Sequence, residues 1–133
     1  MTHHLGGIDY FSAGISTSGQ LRTMVKQEDG TNYWPLSTSE VPSGVWTHVV
    51  FIIEGGVGYK FYINGSLDRD FPYPAIRLYD HSAGTDNAYL GSNIGSTTFL
   101  EGSIDDVRVY NRALSSTEIS ELYDMGAKKI KIR

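Results

Sequence analysis

The chain has 133 residues, a formal net charge of −4 at pH 7, 15 glycines, nine tyrosines and no cysteine. That length suits one domain, spanning 1–133, which can bury roughly two thirds of the surface its unfolded chain exposes. Interspersed charges of both signs give no electrostatic basis for a nucleic-acid partner, and the missing cysteines exclude disulfide frameworks, thiolate metal sites and thiol nucleophiles.

Residues 1–6 are expected to be loosely ordered. They carry no basic start followed by an apolar run, so no signal peptide is expected here, and no stretch reaches membrane-spanning length, so no membrane insertion is expected. Ile8 to Ser16 and Gln20 to Lys26, separated by Thr17-Ser18-Gly19, read as an antiparallel hairpin, with Leu21, Thr23 and Val25 opposite in sense to Arg22, Met24 and Lys26. Tyr33-Trp34-Pro35-Leu36 is a short extended piece that Pro35 confines to an edge or loop. Trp46 to Ile53 is apolar on both alternating faces, which predicts a strand covered on both sides.

Gly55-Gly56 turns the chain into Val57 to Ile63. Asn64-Gly65 then accepts positive φ at both centres of a type I′ turn, the strongest short-range hairpin signal in the sequence. Phe71 to Asn87 reads as a long loop, of the kind that is commonly functional. Ala88 to Gly91 and Ser103 to Tyr110 read as further strands, the second with either a bulge at Asp105-Asp106 or partial cover on both faces. Ser115 with Glu118 forms a capping box for a helix that presents Ile119, Leu122 and Tyr123 on one face, with Gly126 as the left-handed C-terminal position. The tail from 127 to 133 alternates charge with Ile and reads as an edge strand guarded by lysines.

Several of these pieces carry a resemblance when taken in order. They are Gly44-Val45-Trp46-Thr47-His48-Val49, Tyr62-Ile63-Asn64-Gly65, Leu90-Gly91, and the run from Gly102 through Asp105-Asp106-Val107-Arg108-Val109-Tyr110 to Ser115 with Glu118-Ile119. In this order they resemble the laminin G-like, concanavalin A-like lectin/glucanase superfamily over residues 8 to 126. The resemblance implies an all-β, antiparallel jelly-roll sandwich with one short C-terminal helix. It also implies an extracellular or surface-associated adhesion or carbohydrate-recognition module, often with calcium. Such members usually carry a further pair of strands before the region matching Ile8. With less chain there, the two-faced Trp46 to Ile53 strand predicts a homo-oligomer or a sandwich completed by a partner.

Function is read as glycan binding without catalysis, against two alternatives: a protein-interaction or structural module of an adhesin, cell-surface or viral appendage protein, and a vestigial glycoside hydrolase. Hydrolysis needs two carboxylates presented to one sugar, and the adjacent Asp105 and Asp106 point to opposite faces of a strand; one of them is expected to pair with Arg108 or Arg112. His48 has no serine, cysteine or acid placed for a triad and reads as a structural histidine. Trp34, Tyr73 and Tyr79 are candidate stacking surfaces, with His81 beside them, although for Trp34 burial in the core is favoured. Asp80, Asp86 and Asn87 gather hard oxygen donors that suit calcium, weighed against a plain solvated loop.

Overall fold

In the computed structural model of the chain, which describes residues 12–26, 31–73, 89–92 and 99–127, the alternation at Gln20–Lys26 becomes strand β2. It pairs antiparallel with β1 (Ser12–Ile15), Ser12 opposite Met24 and Ile15 opposite Leu21, across a turn where the Gly19 N–H donates to the Ser16 carbonyl at 2.9 Å. The first part of that expected strand, before residue 12, lies outside the described residues. Leu21, Thr23 and Met24 are all buried, so β2 contributes to the core from both of its faces.

The other edge of β2 takes two short strands in succession, β3 (Asn32–Tyr33) and β4 (Leu36–Glu40). They share one register across Trp34-Pro35, Tyr33 opposite Val25 and Leu36 opposite Arg22, and the register then shifts before Glu40 meets Gln20. The shift is filled by a side chain. Ser37, fully buried, accepts the Leu21 N–H at 2.8 Å and donates to the Ser39 carbonyl at 2.7 Å, so the buried backbone groups of the bulge keep partners.

The second sheet is β5 (Val49–Glu54), β6 (Gly58–Ile63) and β7 (Ser66–Pro72), with β6 in the middle. Asn64 and Gly65 take φ of 50° and 77°, as a type I′ turn requires, and hold the β6–β7 hairpin. Position decides burial here. Central β6 buries Tyr59, Phe61 and Tyr62 on its two faces, whereas β5, which among the described residues pairs only with β6, buries Ile52 alone. The expectation of a doubly covered strand from Trp46 to Ile53 is therefore corrected: Trp46 precedes β5 and is 72% exposed. Phe71 and Pro72, expected in a loop, end β7.

Helix α1 (Ser116–Ala127) starts on the expected capping box. The Glu118 carboxylate accepts the Ser115 N–H at 2.8 Å, and the Ser115 hydroxyl accepts the Glu118 N–H at 3.3 Å. Glu118 also pairs with Arg112, and that guanidinium, with the Ser115 groups, holds its carboxyl down at about 2. Ile119 packs with Ile52, Tyr62 and Leu114 into one core cluster that Val50 and Leu122 border. Gly126 falls inside the helix and is not in the left-handed region, so it does not serve as the expected C-terminal cap.

Two further expectations fail for want of a ladder. Ser103 to Tyr110 joins no strand among the described residues, and Ile104, Val107, Val109 and Tyr110 are exposed, Val109 at 93%. Asp106 takes φ of 53°, so the chain is re-aimed at the Asp105-Asp106 step. Of the expected strand Ala88 to Gly91, Ala88 lies outside the described residues and Tyr89 to Gly91 form no strand; Ser92 instead makes an isolated bridge to Phe99. Residues 128–133, with the expected edge strand, lie outside the described residues.

Candidate recognition groove

The break between β3 and β4 has a simple cause. Proline has no N–H to give to a ladder, so β2 meets Pro35 only through the Thr23 N–H, which donates to the Pro35 carbonyl at 3.3 Å. Trp34, inside that break, stays 46% exposed rather than entering the core as expected. Its indole lies under Arg22, whose Cζ sits 5.0 Å from the ring centroid, an arrangement that fixes the ring by cation–π attraction.

Strand β7 supplies the opposite wall. A bulge sets Phe61 opposite Arg69 but Tyr62 opposite Leu67, leaving Asp68 as the extra residue. Both side chains at that bulge tie down β4. The Arg69 guanidinium donates to the Leu36 carbonyl at 2.7 Å, and the Asp68 carboxylate accepts the N–H groups of Thr38 and Ser39 at 2.6 and 3.0 Å. These charge-assisted bonds join two sheet edges that no backbone ladder joins. Arg69 also lies over Phe71, 5.2 Å from its centroid.

An aromatic floor closes the site. Tyr33 of β3 stacks on Tyr59 of β6 (centroids 6.3 Å, planes 6° apart) and on Tyr73 (4.4 Å, 28°), and meets Phe71 at 6.1 Å. Tyr59 is fully buried, and its hydroxyl has no partner among the described residues; burial, with Tyr73 and Tyr33 alongside, pushes its ionisation up to about 12. The result is a shallow groove of about 380 Å³ lined by Asn32, Tyr33, Trp34, Pro35, Leu36, Arg69 and Phe71.

Of the residues singled out from the sequence, Trp34 and Tyr73 come together here through Tyr33. Tyr79, His81, Asp80, Asp86 and Asn87 lie outside the described residues, and with them the calcium loop. Arg22, Arg69 and Phe71 were missed, although Leu67, Arg69 and Phe71 alternate as a strand should.

The other candidate chemistry is elsewhere. The Asp106 carboxylate is held by Arg108 through two contacts of 3.0 Å, and Asp105 accepts the Asp106 N–H at 2.8 Å, so the expected pairing of one aspartate with Arg108 is present. His48 lies 6.0 Å from the Tyr123 ring, and its buried Nδ1 has no partner among the described residues, which departs from a hydrogen-bonded structural histidine. Burial lowers its pKa, Arg108 lowers it further, and Asp106 partly opposes both.

With this geometry in hand, comparison with known proteins gives the family. A family model described as the concanavalin A-like lectin/glucanases superfamily matches residues 2–120, and the chain belongs to that superfamily through its laminin G branch. The chain is 29% identical over 115 residues, 86% of its length, to adhesion G-protein coupled receptor D1 of Homo sapiens, and 32% identical over 87 residues, 62% of its length, to adhesion G-protein coupled receptor V1 of Danio rerio. It spans 13% and 1% of those receptors. An S-layer domain-containing protein of Clostridium thermocellum has a similar fold, with a TM-score of 0.52 at 23% identity over 92% of this chain and 68% of that one.

Proposed function

We propose that the chain is a non-catalytic recognition module, extracellular or surface-associated, that binds a glycan in the Tyr33–Trp34 groove. The observation that carries this reading is the half-exposed indole of Trp34, held in place by Arg22 at the rim of a groove whose other wall is aromatic. An apolar ring face of that kind stacks on the C–H face of a sugar, while Asn32 and Arg69 offer hydrogen bonds to hydroxyls. Membership of a lectin/glucanase superfamily and similarity to adhesion receptors support a recognition role at a surface. On a glycan array, the chain is expected to retain a set of oligosaccharides that Trp34→Ala loses while keeping the same far-UV circular dichroism. Binding that survives this substitution would place the ligand elsewhere.

A second reading, protein interaction, is favoured by one observation. Trp46, Ile104, Val107 and Val109 are all exposed in this chain, and exposed apolar residues that gather into one patch mark interaction surfaces. A second copy of the chain is the simplest cover, and light scattering is expected to give a mass above the monomer at micromolar concentration; a monomeric mass would rule out self-association.

A further inference from the structure

The described arginines divide into two kinds. Arg108 and Arg112 are neutralised by Asp106 and Glu118. Arg22 and Arg69, which flank the groove, have no carboxylate partner among the described residues: one lies over Trp34, and the other spends a single N–H on the Leu36 carbonyl and lies over Phe71. Among the described residues, no acidic side chain lines the groove. In a chain of net charge −4, two guanidiniums without a carboxylate among the described residues, set beside an aromatic surface, make a local positive site. Each guanidinium keeps N–H donors in the planar fork that matches a carboxylate.

We infer that the groove selects acidic sugars, those bearing a ring carboxylate, over neutral ones, with Trp34 taking the sugar face and Arg22 and Arg69 taking the carboxylate. This rests on the groove being the glycan site. An acidic peptide would satisfy the arginines but has no flat C–H face for the indole, and a neutral sugar would satisfy the indole and leave both guanidiniums without an anion.

The test is calorimetric titration with hexamers of galacturonic and glucuronic acid and with the same hexamers fully methyl-esterified, which keeps the ring and removes the charge. At least one acid hexamer should bind about tenfold or more tightly than its ester, the range of a charge-assisted hydrogen bond. That preference should shrink on Arg22→Gln, recover in part on Arg22→Lys, and fall as salt rises, whereas Trp34→Ala should weaken acid and ester alike. Melting curves show whether each variant folds; Arg22 is exposed, so its variants should match the parent. Equal binding of acid and ester with Trp34 dependence intact would overturn the acidic preference and leave the groove standing. Binding indifferent to Trp34→Ala, or none to either acid, would remove the acidic-sugar site. Polyglutamate binding as tightly as the acid hexamers would assign the arginines to acidic peptides and overturn the inference.

Discussion

At the groove, a tyrosine from one sheet stacks on aromatic residues of the other, and the Arg69 guanidinium donates across to the Leu36 carbonyl. Ser103 to Tyr110 also carries apolar side chains, Ile104, Val107, Val109 and Tyr110, yet among the described residues it joins no ladder and shows Val109 to solvent. The same residue types stabilise in one place and not in the other, because burial rather than composition sets the hydrophobic contribution. The groove can therefore hold a side chain such as Trp34 in one orientation, and the 103–110 segment can hold a partner only by gaining cover it lacks.

The sharpest way to break that contrast is to remove one buried ring and one exposed branch. Phe61→Ala empties a fully buried position on the central strand and should cost about 3–5 kcal/mol in denaturant unfolding. At the other extreme, Val109→Ser should change stability by less than about 0.5 kcal/mol. A large loss at Val109 would mean that the segment is covered in solution.

Gly58 comes next. It has φ of 145°, and an added Cβ would lie 2.2 Å from the Phe71 carbonyl and 2.7 Å from the Tyr73 nitrogen, both backbone atoms beside the groove. Gly58→Ala should cost about 3 kcal/mol through strain and displacement of β7, and it should weaken ligand binding as Phe71 and Tyr73 move. Smaller is the effect of Asp68→Asn, about 1–2 kcal/mol, since the amide keeps one acceptor for the two β4 N–H groups and loses the charge. If thermal melting shows no difference, the edge of β4 is held by its ladder to β2 and by Arg69, without a contribution from Asp68.

The smallest effect near neutral pH concerns Tyr59. Its raised ionisation means that the folded state favours the neutral phenol. The associated stability is fully present below about pH 10 and is lost as pH rises toward about 12. Tyr59→Phe should abolish that alkaline loss and leave neutral stability unchanged or slightly higher, because the buried hydroxyl has no partner among the described residues. Urea titrations of parent and variant at pH 8 and 11 make the comparison, and parallel alkaline losses in both would sink the assignment to Tyr59.

Short-range rules read well in this chain. Asn64-Gly65 specified its own turn, Ser115 with Glu118 started the helix, and alternation set the limits of β2, because each depends on backbone conformations and contacts within a few residues. The superfamily, and with it the antiparallel two-sheet fold, was legible because several such local signals occur in a fixed order. Burial was not. Trp46 and Trp34 both look like core residues in sequence and both stand partly or largely in solvent, since cover depends on which strand is central and which lies at an edge. The groove was decided the same way. Trp34 comes from one sheet and Arg69 and Phe71 from the other, and they meet where Arg69 and Asp68 bind the backbone of β4 and Tyr33 stacks on Tyr59, long-range pairings that no local periodicity encodes.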